Sequence, residues 1–173
     1  TGLPAGDKGR IGLAIARTNP NVLIATVEHP TGGGTFRTED AGATWKQTSR
    51  QNPRPMYYSK PVIDPTNDKR VWLMGVQPTK SEDGGTTFVP QPHGHKHGDH
   101  HAMVFDPDDP DYLMYGTDGG LYESFDLGQT FRFISNLPVT QFYKVAVDYD
   151  EPFYNLYGGT QDNNTLGGPS RTW

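Results

Sequence analysis

An eight-residue motif that recurs at a fixed interval constrains the fold of this chain more than any other feature. The motif reads Ser/Thr-x-Asp-x-Gly-x-Thr-aromatic, and its three copies are "TEDAGATW", "SEDGGTTF" and "SFDLGQTF". The aspartates of the three copies are Asp40, Asp83 and Asp126, and both intervals are 43 residues. A constant interval of this length indicates a chain built from stacked copies of one supersecondary unit.

The segments between the motifs repeat in the same phase. Stretches such as "IGLAIARTNPNVLIAT" and "KPVIDPTNDKRVWLMG" each give a short apolar strand, an Asp/Asn-Pro turn and a second strand. Proline fixes its own φ and favours extended geometry in the residue before it, so it suits such a turn. Two further strands flank each motif. The 21 glycines and 15 prolines leave little room for long helices. The chain is therefore predicted to be all-β, a β-propeller of four-stranded antiparallel blades.

About three and a half blades are present. We predict that residues 1–173 form part of a single propeller domain, with blades at about 9–50, 56–92 and 99–136 and a half blade at about 141–173. Such a number cannot close a ring, and an open propeller leaves sheet faces and edges uncovered. We therefore expect the remaining blades of a longer chain, or a second copy, to complete it.

The repeated motif has a structural interpretation. Its aspartate can accept hydrogen bonds from the N–H groups of the turn, its glycine suits a positive φ, and its aromatic ring can pack between sheets. Three regular copies of a turn suggest a scaffold rather than a catalytic site. The residues assigned to this structural role are Asp40, Gly42, Trp45, Asp83, Gly85, Phe88, Asp126, Gly128 and Phe131.

This motif resembles the Asp-box, or bacterial-neuraminidase repeat (BNR), of sialidases, xyloglucanases and sortilin-type propellers. The stretches "GDHHAMVFDP", "GTDGGLYESFDLGQTF" and "GGTQDNNTLGGPSRT" are similar to one group in particular. That group is the large bacterial exported proteins labelled sortilin-like or "glycosyl hydrolase, BNR repeat". The resemblance implies a propeller within a longer polypeptide that is secreted, periplasmic or at the cell surface.

Two sets of loops open on one face of a propeller, where ligands commonly bind. They are the entering loops, which lead into the first strand of each blade, and the turns between second and third strands. From them the predicted ligand-binding residues are Arg10, Tyr58, Asp99, His100, His101, Asp118, Gln161 and Asp162, with Arg54 and Tyr57 beside them. Aromatic rings that stack on sugars, and charged groups that bind hydroxyls, are typical of saccharide sites.

Five histidines lie in the entering loop "HGHKHGDHH" of the third blade, residues 93–101. In an extended run, His93, His95 and His97 would share one side, which is a candidate ligand set for a divalent metal. The alternative is a polar loop that leads into a strand, and we favour it, with no cofactor required. His100 and His101 should point to opposite faces of that strand, one toward the channel mouth and one toward a neighbouring blade.

No compact catalytic motif is present, so we favour a binding module whose ligand is a polysaccharide, peptide or protein. The alternative is a glycoside hydrolase, which needs two carboxylates across a cleft. Its catalytic candidates are Asp99, Asp118 and His100. A formal net charge of −5 without a basic stretch argues against a nucleic-acid partner. The sequence also has no run of 18 apolar residues, so no membrane span is predicted.

Overall fold

The strands of this computed structural model, which describes residues 1–92, 94–137 and 139–171, form four antiparallel sheets. Within those ranges the chain has no helix, and so no described helix is long and apolar enough to cross a bilayer. Three sheets have four strands, as predicted for complete blades, and the fourth has three. The fourth sheet therefore contains one strand more than the expected half blade.

In every sheet the spatial order of the strands follows the chain. The first sheet comprises β1 (Ile11–Ile15), β2 (Leu23–Val27), β3 (Gly34–Thr38) and β4 (Lys46–Ser49). The second comprises β5 (Pro61–Ile63), β6 (Val71–Leu73), β7 (Thr79–Ser81) and β8 (Val89–Pro90). The third comprises β9 (His100–Phe105), β10 (Leu113–Thr117), β11 (Gly120–Ser124) and β12 (Arg132–Phe133). The fourth comprises β13 (Phe142–Val147), β14 (Asn155–Thr160) and β15 (Thr165–Pro169).

The chain divides into two compact units. Thr1–Phe133 contains the first three sheets, and Ile134–Trp173 contains the fourth. In the second unit, β13 is exposed along its whole length, including Phe142, Tyr143 and Val145.

Apolar clusters join the three sheets of the first unit. Between the first and second sheets, Ile24 packs with Ile63 and Val71. Between the second and third, Trp72 packs with Leu113, and both side chains are fully buried. Full burial of an apolar side chain of this size stabilises a fold by about 1.5–3 kcal/mol. The sheets of this unit are therefore held by their faces, as the stacked blades of a propeller are.

The aromatic residue of each motif packs against one of these clusters. Trp45 contacts the cluster of Ala25, Val27 and Phe36 in the first sheet, and Phe88 contacts the cluster between the first two sheets. Phe131 contacts the cluster between the second and third sheets. The motif thus links a surface turn to the packing of the blades.

The three motif turns, residues 38–45, 81–88 and 124–131, share a set of hydrogen bonds. In the second copy, Asp83 accepts hydrogen bonds from the Thr87 N–H at 2.8 Å and from the Thr87 hydroxyl at 2.7 Å. Ser81 donates its hydroxyl to Asp83 and accepts the Gly85 N–H at 2.9 Å. Asp40 and Asp126 accept the equivalent bonds from the threonine four residues later.

Two consecutive residues of each motif turn have a positive φ. The second is always glycine, with φ of +92° at Gly42, +89° at Gly85 and +83° at Gly128. The first is Gly84 in one copy, but it is Ala41 at +55° and Leu127 at +58° in the others. The sequence motif does not reveal this first position, because two of its three occupants carry a side chain that disfavours the conformation.

Candidate functional site

The entering loop of the second sheet, residues 54–60, is a tight turn held against β1. Arg54 and Ser59 have positive φ values of +43° and +39°, and the Arg54 carbonyl accepts the Tyr57 N–H at 2.8 Å. The Ser59 carbonyl lies so close to Gly12 that a Cβ atom there would be 1.7 Å from its oxygen. Glycine in β1 therefore allows the loop to reach this position.

Tyr58 is the buried anchor of this loop. Its side chain is 1% exposed, and its hydroxyl donates a hydrogen bond to Asp99 in the entering loop of the third sheet. Burial and this bond to the carboxylate raise the pKa of Tyr58 well above its usual value. Asp99 has a φ of +58° and donates its N–H to the Val76 carbonyl at 3.0 Å. Tyr58 and Asp99 thus join two entering loops.

His101 completes the contact between the two loops. Its ring lies 5.3 Å from the ring centroid of Tyr57 and 5.2 Å from that of Tyr58. Its Nε2 is 3.1 Å from Oδ1 of Asp118, which lies in the turn between β10 and β11. The structure therefore brings together Tyr58, Asp99, His101 and Asp118 from the predicted set.

Tyr57 is the exposed aromatic residue at this place. It is 46% exposed, and the Arg54 guanidinium lies over its ring at 4.9 Å from the centroid. Arg10 donates a hydrogen bond to the Tyr57 carbonyl. We call the group formed by Arg54, Tyr57, Tyr58, Asp99, His101 and Asp118 the mouth cluster.

A cavity of about 390 Å³ lies beside the mouth cluster, and we call it the inner-strand cavity. Its walls come mainly from the first strands of the three sheets, β1, β5 and β9. The lining is apolar at residues such as Leu13 and Val62 and polar at Arg10, Lys60 and His101. Lys60 donates its ammonium to the His101 carbonyl at 2.9 Å. A volume in this range is typical of ligand-binding pockets.

His100 and His101 face opposite ways, with His101 in the mouth cluster. His100 is 2% exposed, its ring packs edge-on to Tyr115, and its Nδ1 lies 3.2 Å from the Val76 carbonyl oxygen. This burial favours a structural role for His100, and its role as a catalytic or ligand-binding candidate stays a prediction.

Lys96 and His97 of the histidine loop contact the third sheet. Lys96 is 4% exposed, donates to the Pro92 carbonyl and lies 3.9 Å from the ring centroid of Phe131. Burial lowers the pKa of its ammonium to about 8. His97 donates its N–H to the Tyr122 hydroxyl at 3.0 Å. Lys96, which was not among the predicted residues, thus anchors its part of the loop beside Phe131.

The metal prediction for this loop stays a prediction. His93 lies outside the described residues, and His95 is exposed. The Nδ1 of His97 lies 3.1 Å from the Gly98 carbonyl oxygen. Within the described ranges no three His, Asp or Glu side chains form a group that could hold a metal ion.

Gln161 and Asp162 lie in the second unit, in the turn between β14 and β15. Gln161 donates its N–H to the Gln141 carbonyl at 2.9 Å, and Asp162 has a φ of +58°. Their role in ligand binding stays a prediction.

Two residues that shape this site were missed in the sequence. Lys60 directly precedes β5, so it could have been found by extending the entering loop to its last residue. Gly12 interrupts the apolar pattern of β1, and a glycine inside a strand often marks the close approach of another backbone.

Comparisons with known proteins show the fold. No model of a protein family matches the chain, and no curated protein does. Among solved structures, it is similar to the GH74 enzyme of Niastella koreensis, with a TM-score of 0.59 and 18% identity over 92% of this chain. It is also similar to the GH74 xyloglucanase of Xanthomonas campestris, with a TM-score of 0.57 and 15% identity over 91%. YCF48 of Cyanidioschyzon merolae gives a TM-score of 0.58 and 13% identity over 99%.

These similar proteins are β-propellers, which confirms the predicted fold. The chain spans 28% of the length of each of the two GH74 enzymes and 60% of YCF48. At such identities the likeness concerns the fold alone.

Proposed function

We propose that this chain belongs to a β-propeller binding module that recognises its ligand at the mouth cluster. The observation that carries the proposal is the exposed ring of Tyr57, which contacts Arg54 and His101 beside an open cavity. Arg10 fixes the backbone of the same residue through the Tyr57 carbonyl. A recognition surface that is ordered before binding loses less conformational entropy when the ligand arrives. A polysaccharide, peptide or protein could dock on such a surface.

The contacts of the two candidate carboxylates suit a binding site better than the active site of a hydrolase. A glycoside hydrolase places two carboxyl groups on either side of the scissile bond. Here Asp99 accepts the hydroxyl of Tyr58, and Asp118 lies at ion-pair distance from His101. Both carboxylates thus hold the mouth cluster together.

We further propose that the module is part of a larger exported protein of the sortilin-like, BNR-repeat kind. The support is the resemblance of the Asp-box motif and of stretches such as "GDHHAMVFDP". The turn hydrogen bonds of Asp40, Asp83 and Asp126 fit the structural role that this resemblance implies. The remaining blades, or a second copy, would complete the ring.

The test is a binding screen of the protein on immobilised polysaccharides and peptides, with Tyr57→Ala as the variant. Loss of a central aromatic contact typically costs more than 1 kcal/mol, so we expect about tenfold weaker binding. Phe125→Ala is the matched control, because Phe125 is 61% exposed but lies in a motif turn.

Unchanged binding of Tyr57→Ala, or no binding to any polymer, would overturn the proposal. New reducing ends released from a bound polysaccharide, and abolished in Asp99→Asn, would favour the hydrolase instead.

A further inference from the structure

The charged side chains that line the inner-strand cavity are all cationic. They are Arg10 and Lys60. No Asp or Glu is among the lining residues. A positively charged cavity stands out in a chain whose formal net charge is −5.

The two cations are not neutralised by acidic partners. The Arg10 guanidinium donates to the Tyr57 carbonyl, and the Lys60 ammonium donates to the His101 carbonyl at 2.9 Å. Among the described residues, neither side chain forms an ion pair with a carboxylate. Their positive charge is therefore available to a ligand.

The acidic side chains nearby already accept hydrogen bonds from their neighbours. Glu28 accepts the backbone N–H of Arg10 at 2.8 Å. Asp99 accepts the Tyr58 hydroxyl, and Asp118 contacts His101. None of these carboxylates belongs to the cavity lining.

We propose that the ligand is a carboxylated polysaccharide, a polyuronate, whose carboxylates are bound by Arg10 and Lys60 while a sugar ring stacks on Tyr57. This inference rests on the binding function proposed above. Hydrogen bonds between charged partners are roughly twice as strong as neutral ones, and a guanidinium can engage a carboxylate through two N–H groups. The apolar face of a sugar ring suits an exposed aromatic side chain.

A polyuronate matches the whole surface better than an acidic peptide does. Each uronate unit presents a carboxylate and, next to it, a ring face with C–H groups. The surface presents a matching pair of features, a cation and an aromatic ring. The Arg10 guanidinium donates to the Tyr57 carbonyl, and the ring of Tyr57 is exposed. An acidic homopolymer such as polyglutamate would use the two cations, but it has no ring to stack on Tyr57.

The experiment measures binding of the protein to polygalacturonate and to the same polymer fully methyl-esterified, which has the same backbone without charge. We expect binding to the acidic form that is weakened by added salt, and at least tenfold weaker binding to the ester. Lys60→Gln and Arg10→Gln should each weaken binding to the acidic form about tenfold, and Arg10→Lys should retain part of it.

The matched controls are Lys46→Gln and Lys69→Gln, which remove the same charge from a different cavity, lined by motif-turn residues. Their binding should stay within about twofold of the unmodified protein. Lys60→Gln keeps the test valid if Arg10→Gln does not fold, because the Lys60 side chain is at the surface.

Each outcome separates this inference from the function on which it rests. Equal binding to the ester would overturn the polyuronate inference and leave the binding module standing. Tighter binding to polyglutamate than to polygalacturonate would make the ligand an acidic peptide instead. If Lys46→Gln and Lys69→Gln weaken binding as much as Lys60→Gln does, the effect would come from overall charge and not from this cavity, which would overturn the inference. No binding to any glycan or peptide would overturn both proposals.

Discussion

The motif turns of the first unit repeat one set of hydrogen bonds, whereas its entering loops differ from one another. The three motif turns are copies of one another, with the same aspartate acceptor, the same threonine donor and the same positive φ at glycine. The entering loops share no such pattern: one places Arg10, the second is a strained turn with two tyrosines, and the third is rich in histidine. Repeated hydrogen bonds thus stabilise the blades, while the unrepeated loops are free to form a binding site.

The largest expected effect comes from the point where a loop meets a strand. Gly12→Ala would place a Cβ 1.7 Å from the Ser59 carbonyl oxygen, so the entering loop must move. Overpacking of this kind costs about 3 kcal/mol, and we expect that loss in chemical denaturation together with loss of ligand binding. Gly159→Ala is the control, because a Cβ at Gly159 meets no atom. A Gly12→Ala variant as stable as this control would contradict the described position of the loop.

Low pH should destabilise the three motif turns together. Hydrogen bonds from the threonine four residues later lower the pKa of Asp40, Asp83 and Asp126 from 3.8 to about 2. A depressed pKa in the folded state gives stability that is complete above pH 3.8 and lost as the pH falls through about 2. Denaturation at a series of pH values should show this decline, and Asp83→Asn should reduce its slope. The same slope in the variant would argue against the role of these carboxylates.

A substitution at a motif glycine should separate stability from binding. Gly85→Ala puts a side chain at a φ of +89°, where the left-handed conformation costs about 1–2 kcal/mol. Ligand affinity should stay the same, because the turn does not contribute to the mouth cluster. A loss of affinity larger than the loss of stability would show that the two regions are coupled.

The smallest expected effect is a gain in stability. Ala41 occupies a φ of +55° where the second motif turn has Gly84, so Ala41→Gly should relieve strain. Part of that relief is offset by the greater backbone freedom of glycine in the unfolded chain, which leaves about 0.5 kcal/mol of added stability. Thermal unfolding would detect the shift, and a decrease in stability would show that the alanine side chain makes a favourable contact.

The sequence predicted those parts of the molecule that local rules determine. The period of Asp40, Asp83 and Asp126 predicted the repeated sheets, because each copy forms the same turn through bonds within a few residues. It did not predict that His100 turns inward or that Lys96 inserts beside Phe131. Those outcomes depend on contacts between distant elements, and an alternating pattern assigns two faces without saying which one is buried.

The mouth cluster was predictable only in part for the same reason. Tyr58, Asp99, His101 and Asp118 were all among the candidates, but their mutual contacts join residues that are 17 to 43 positions apart. No spacing rule connects such positions, because their distance is set by the packing of neighbouring sheets.

Hydrogen–deuterium exchange of the protein with and without polygalacturonate would show whether the ligand binds the entering loops or the motif turns, since it reports on both regions in one measurement. We expect slower exchange in the entering loops, at residues 54–60 and 99–102, and unchanged exchange in the motif turns at 38–45, 81–88 and 124–131. Slower exchange confined to the motif turns would contradict this expectation, because the ligand would then bind the face that we assign to the scaffold.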